Sequence, residues 1–199
     1  MPLFFAKKEQ HYAIVIWHIE ETEAFFASVL GFESDKKHPK RRLEHLAGRF
    51  LLKHLEADFP FEKMVISPQG KPELNDQSRH FSISHSFPYA AAIISDSKAV
   101  GVDIQVYVEK IRNLQSKFLS EEEQALFHNR IEGITLAWTA KEALFKYYGL
   151  GSVDFKGEMP IRDVLWYEQN AKINMELTKT RESCRLSGFT SDDFAVSWL

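Results

Sequence analysis

Ala99-Val100-Gly101-Val102-Asp103-Ile104-Gln105 is the stretch on which the fold turns. Its apolar, β-branched residues read as a strand over 99–105. One round of strand, helices and strands precedes it, and a second round follows. Upstream, residues 12–19 form a β-branched and aromatic run expected to be a strand, and 22–30 a short helix closed by Gly31. Over 39–56, Leu43, Leu46, Ala47, Phe50, Leu51 and Leu55 recur at spacings of three and four, the period of a helix buried along one side. Residues 64–67, 81–84 and 89–95 read as short strands separated by Pro, Gly, Asn, Asp and Ser.

Downstream, a helical stretch reaches Phe118, and Ser120 with Glu123 has the pattern of a capping box. A longer helix is expected from about Gly133 to Tyr148, stopped by Gly149 and Gly151. The runs 163–168, 172–177, 184–189 and 194–199 alternate as strands of an antiparallel sheet with one wet face. The expected class is α+β, with two similar halves, 1–98 and 99–199, each packing helices on a small antiparallel sheet. No low-complexity segment or linker separates the halves.

A chain of 199 residues with 44% hydrophobic and 13% aromatic residues has ample material for a core. With 25 basic and 28 acidic residues the formal charge is −3, which argues against a general nucleic-acid binder. An anion site must then be local. Cys184 is the single cysteine, so no internal disulfide forms, as suits a reducing compartment. The opening Met1-Pro2-Leu3-Phe4-Phe5-Ala6-Lys7-Lys8 has the wrong order and length for a secretory signal, and no run approaches a membrane span. The expectation is a cytoplasmic protein that binds neither membrane nor nucleic acid.

Asp103 stands in an apolar strand, with Gln105 on the same face by the period of two. It reads either as a cap for the next helix or as a ligand in a site. Glu142 favours the site. Trp138, Glu142 and Lys146 stack along one helix stripe at spacings of four, in Trp138-Thr139-Ala140-Lys141-Glu142-Ala143-Leu144-Phe145-Lys146. Glu142 and Lys146 could be a surface ion pair, but apolar neighbours leave this helix little wet face, and embedded charges need partners or a metal. Two or three hard oxygen donors, completed by water and phosphate, are how Mg²⁺ is usually held.

His85 in Ile83-Ser84-His85-Ser86 follows a strand that ends in serine, and is either structural or a phosphate contact. The basic run Lys36-Lys37-His38-Pro39-Lys40-Arg41-Arg42, leading to Arg49 and Lys53, contains Glu44 as its only acid. It is either a solvated helix face or a landing place for phosphates or an acidic partner. The loop carrying Gly70-Lys71-Pro72 could bring Lys71 to the same ligand.

Gly70-Lys71-Pro72, Ile83-Ser84-His85-Ser86, Gly101-Val102-Asp103-Ile104, Phe118-Leu119-Ser120 with Glu123, and the 138–146 segment together resemble the phosphopantetheinyl transferase superfamily. The resemblance is to its surfactin-type branch, about twice the length of the holo-acyl-carrier-protein synthases. It implies a pseudo-two-fold, monomeric α+β fold with the active site at the interface of the halves. The implied activity is holo-acyl-carrier-protein synthase chemistry. Phosphopantetheine passes from coenzyme A to a serine of an apo acyl or peptidyl carrier protein, with Mg²⁺, and adenosine 3′,5′-bisphosphate is released.

By that resemblance Asp103 and Glu142 hold the metal and Glu142, directly or through water, helps deprotonate the serine. Lys146 stabilises charge as the phosphoanhydride breaks. Ser84 and His85 contact phosphate, and Lys71, Arg42 and His45 serve the nucleotide end. The branch often has a second carboxylate two residues after the strand Asp. Here that position is Gln105, a weaker ligand for a hard cation. Competing readings are a non-catalytic coenzyme A or carrier-protein binding module of the same fold, and a metal-dependent nucleotide phosphohydrolase.

Overall fold

A computed structural model describes residues 2–199; Met1, which opens the segment weighed against a secretory signal, lies outside them. The chain divides into two compact units, Met1–Val100 and Gly101–Leu199, and the class is α+β with antiparallel sheets.

In the first unit, strands β1 (Leu3–Lys8) and β2 (Ala13–His18) precede helices α1 (Glu23–Leu30) and α2 (Pro39–Leu55), and β3 (Met64–Ile66), β4 (Pro72–Leu74), β5 (His80–Ser86) and β6 (Tyr89–Ser95) follow. The four-stranded sheet runs β1-β2-β6-β5, and β3 and β4 form a separate hairpin. Helix α1 starts where Thr22 accepts from the Phe25 amide and ends at Gly31, whose φ of +80° suits a residue without Cβ. Helix α2 buries Leu46, Ala47, Leu51 and Leu52 among Val15, Trp17, Ala90 and Ala92 of the sheet. Gly48 permits close approach there: a Cβ on it would stand 2.6 Å from Ile83 Cγ2. Two elements lie outside the sequence-based expectations. Strand β1 sits in the segment read only for targeting, and β4 begins at Pro72, where a loop was expected.

The second unit opens with β7 (Val102–Val106), continues through α3 (Lys110–Phe118), α4 (Glu121–Leu126) and α5 (Ile131–Tyr148), and closes with β8 (Ile161–Tyr167), β9 (Asn170–Leu177), β10 (Glu182–Thr190) and β11 (Phe194–Trp198). Its sheet order is β7-β11-β10-β9-β8. The β7 ladder begins three residues later than the expected strand at 99–105. The expected capping box is present: Ser120 accepts from the Glu123 amide and Glu123 accepts from the Ser120 amide. Helix α5 starts at Ile131, two residues before the expected Gly133, and ends at Gly149 in the left-handed region. It buries Leu136, Ala137, Ala140, Ala143 and Leu144 in a core with Ile173, Leu186 and Ala195. Among the described residues no helix is long and apolar enough to cross a membrane.

Candidate active site

In the second unit, β7 can lie directly against α5 because it is led by a glycine. A Cβ on Gly101 would fall 2.0 Å from the Ala143 carbonyl oxygen and 2.9 Å from the Tyr147 amide nitrogen. Two residues on, Asp103 pairs in register with Ser197 of β11, whose hydroxyl meets that of Thr139 on α5 at 2.9 Å. Directly paired residues share a sheet face, so Asp103 is on the face that α5 covers. It is 7% exposed. Lys146 Nζ donates to Asp103 Oδ1 at 2.7 Å and to the Val102 carbonyl at 3.0 Å.

This geometry removes one structural alternative read from the sequence. Asp103 caps no helix, because α3 begins beyond it with Glu109 at its N-cap position. Lys146 reaches across to the strand carboxylate, with the pair's side chains 26% and 11% exposed. Glu142 lies one turn before Lys146 on the same helix. Burial pushes its carboxyl up to about 7, the neighbouring Asp103 charge adds to the rise, and Lys146 opposes it.

The two lysines flanking Glu142 diverge. Lys141 is fully buried. Its ammonium donates to Glu123 Oε1 and to the Phe155 carbonyl, and the same Glu123 oxygen accepts from the Ile161 amide. Lys141 thus fastens α5 to the capping box of α4 and to the start of β8. Trp138 packs on Phe118 and Phe155, so the aromatic member of the expected stripe belongs to the core.

Among the described residues no group of three or more His, Cys, Asp or Glu side chains is placed to hold a metal. Asp103 and Glu142 form a pair. Gln105 shares the face of Asp103, opposite Ala195, and donates from Nε2 to the Val106 carbonyl. The donor set nevertheless fits Mg²⁺, which keeps several waters and takes one or two carboxylates together with substrate phosphate.

The first unit carries the remaining expected residues. His38, Lys40, Arg41 and Glu44 of α2 and its N-terminal flank line a cavity of about 570 Å³ with His85, Ser86 and Phe87. The α2 N-terminus has neither a side-chain cap nor an acid in its first turn, so its amides, with Lys40 and Arg41, favour an anion here. His85 Nδ1 stands 3.5 Å from Glu44 Oε2, and Ser84 is buried in β5 opposite Ala91. Lys71 lines a different cavity, of about 210 Å³, with Glu73, Gln77, Arg79 and His80, and burial lowers its ammonium below the usual lysine value.

Arg42 donates to Glu23 Oε1 at 2.7 Å and to the Lys37 carbonyl, bracing α1 against α2. His45 is held near 4 by burial first, then by the Arg49 charge, and its buried Nδ1 has no partner. The structure therefore groups Asp103, Glu142 and Lys146, and separately groups His85 with the start of α2. It does not gather Lys71 into the His85 cavity. Lys40, Arg41 and Glu44 were visible only as members of a basic run. The Lys141–Glu123 pair carried no signal beyond the capping box.

The 4′-phosphopantetheinyl transferase superfamily model matches residues 99–198. The chain is 34% identical over 117 residues to the 4′-phosphopantetheinyl transferase AcpT of Salmonella typhi, a match covering 55% of this chain and 60% of that protein. The AcpT of Escherichia coli K12 is 32% identical over 117 residues, 55% of this chain and 59% of its own. The matched region spans about 60% of the length of each of these curated relatives. The family match runs from the approach to β7 through β11 and so contains Asp103, Glu142 and Lys146. The chain belongs to the 4′-phosphopantetheinyl transferase superfamily.

Proposed function

We propose that the chain transfers the phosphopantetheine group of coenzyme A to a serine hydroxyl of an apo acyl or peptidyl carrier protein, releasing adenosine 3′,5′-bisphosphate. The observation that carries this reading is the arrangement of Asp103, Glu142 and Lys146 on β7 and α5, inside the segment matched by the family model. Glu142 in its ionised form accepts the proton of the serine hydroxyl as that oxygen attacks phosphorus. The phosphoanhydride bond breaks, and negative charge gathers on the leaving bisphosphate. Lys146, held in place by Asp103, supplies the positive charge that lowers the energy of that state.

A bound Mg²⁺ would be held by Asp103 and Glu142, with Gln105 as a weaker third donor, and would polarise phosphate oxygens. For the anionic end of the substrate, the first unit offers His85, Lys40 and Arg41 around one cavity and Lys71 in another. Arg42, whose bond to Glu23 would have to yield, and His45 are further candidates.

Gln105 keeps a second reading in play, a binder of coenzyme A or of a carrier protein that transfers nothing. Mass spectrometry of a panel of apo carriers from fatty-acid, polyketide and peptide synthesis separates the two. With coenzyme A and magnesium, transfer adds about 340 Da to one or more carriers. Coenzyme A binding with no gain on any carrier would favour the passive binder.

A further inference from the structure

Glu44 is the one acid of the basic run, and the structure turns it inward. It is 5% exposed, in a cavity wall otherwise furnished by His38, Lys40, Arg41 and His85. A carboxylate there repels the anion that the rest of the wall attracts, so its use must lie elsewhere. A buried carboxylate also needs a compensating charge. Its polar neighbour is His85, with Nδ1 3.5 Å from Glu44 Oε2.

We infer that Glu44 is a positioning residue for His85: its carboxylate holds the imidazole in the cavity wall and favours the protonated ring that a phosphate would meet. The surrounding elements support this. Gly48, one turn beyond Glu44, seats α2 on Ile83, two residues before His85, so helix and strand meet at a fixed separation. The charged groups that α2 turns toward the ring are Glu44 and His45, with His38, Lys40 and Arg41 on the cavity wall. On β6, the residue paired with His85 is Ala90, which carries no charge. Every other one of these named groups is cationic or neutral, so among them Glu44 is the one that opposes loss of the ring proton.

That the anion is coenzyme A rests on the proposed transferase reading; the Glu44–His85 coupling does not. The test compares wild type with Glu44→Gln, His85→Ala and the double variant, with folding checked by thermal unfolding. The midpoint of the His85 ring is read by NMR without ligand, and the coenzyme A dissociation constant by calorimetry. Glu44→Gln should move the His85 midpoint down and weaken coenzyme A binding roughly tenfold. It should raise KM while leaving kcat within about twofold. In the His85→Ala background the same substitution should cost nothing further. An unmoved midpoint, or losses that multiply in the double variant, would overturn the inference. If wild type fails to bind coenzyme A, the transferase reading falls, and the ring midpoint still decides the coupling.

Discussion

Lys146 Nζ lies 2.7 Å from Asp103 Oδ1, joining the last turns of α5 to the edge strand β7. This contact orders the candidate site: it fixes the lysine that would meet leaving-group charge, and it offsets one of two neighbouring carboxylates. Lys146→Met should therefore reduce kcat for carrier modification by about 100-fold or more, since preorganised charge contributes mostly in the transition state. A kcat within twofold of wild type would remove Lys146 from the reaction.

Glu142 makes stability depend on pH in a defined direction. Its folded carboxyl is raised to about 7 from an ordinary value of 4.5, so the folded chain holds that proton more tightly than the unfolded chain. The associated stability is fully present below 4.5 and is lost as pH rises through 7. Glu142→Gln should leave stability at pH 4.5 nearly unchanged and gain about 3 kcal/mol over wild type at pH 8 without divalent cation. Denaturant melts at the two pH values check this, and equal differences at both would contradict it.

The Lys141–Glu123 pair is wholly buried, and its members share hydrogen bonds with Ile161 and Phe155. Removing one member strands a charge in the core. Lys141→Met alone should cost about 3–5 kcal/mol, and adding Glu123→Leu should recover part of that loss. Thermal unfolding of the three proteins gives the comparison. A single variant as stable as wild type would show that the pair is not enclosed.

Gly101→Ala tests the seating of β7. A methyl group 2.0 Å from the Ala143 carbonyl oxygen cannot be accommodated unless strand and helix separate, and Asp103 and Lys146 must then part. Loss of transfer together with a lower Tm is expected. Unchanged values of both would show that the strand has room to move.

Much of this was legible in the residues. The three-and-four spacing over 39–56 and the alternation of the last strands mark α2 and β8 to β10, because each buries a single face, whereas β11 is buried throughout and lacks the wet face expected of it. Strand β1 shows no such signal, since nearly all of Leu3–Lys8 is exposed and no alternation results. Strand β4 is three residues long and starts with proline, which reads as a turn. Asp103, Glu142 and Lys146 stood out because charges in apolar surroundings are conspicuous. Lys141 is just as embedded, yet its direction depends on Glu123, 18 positions earlier, and no local period connects them. The separation of Lys71 from His85 is likewise tertiary, set by the β3–β4 hairpin and the end of β5.

The most direct test of the central claim is the intact mass of an apo carrier protein incubated with coenzyme A, magnesium and, in parallel, wild type, Asp103→Asn or Glu142→Gln. Wild type should add about 340 Da to the carrier, while both folded variants leave it unmodified over the same period. Equal modification by the variants would contradict the assignment of these carboxylates, and a carrier panel untouched by wild type would contradict the transferase itself.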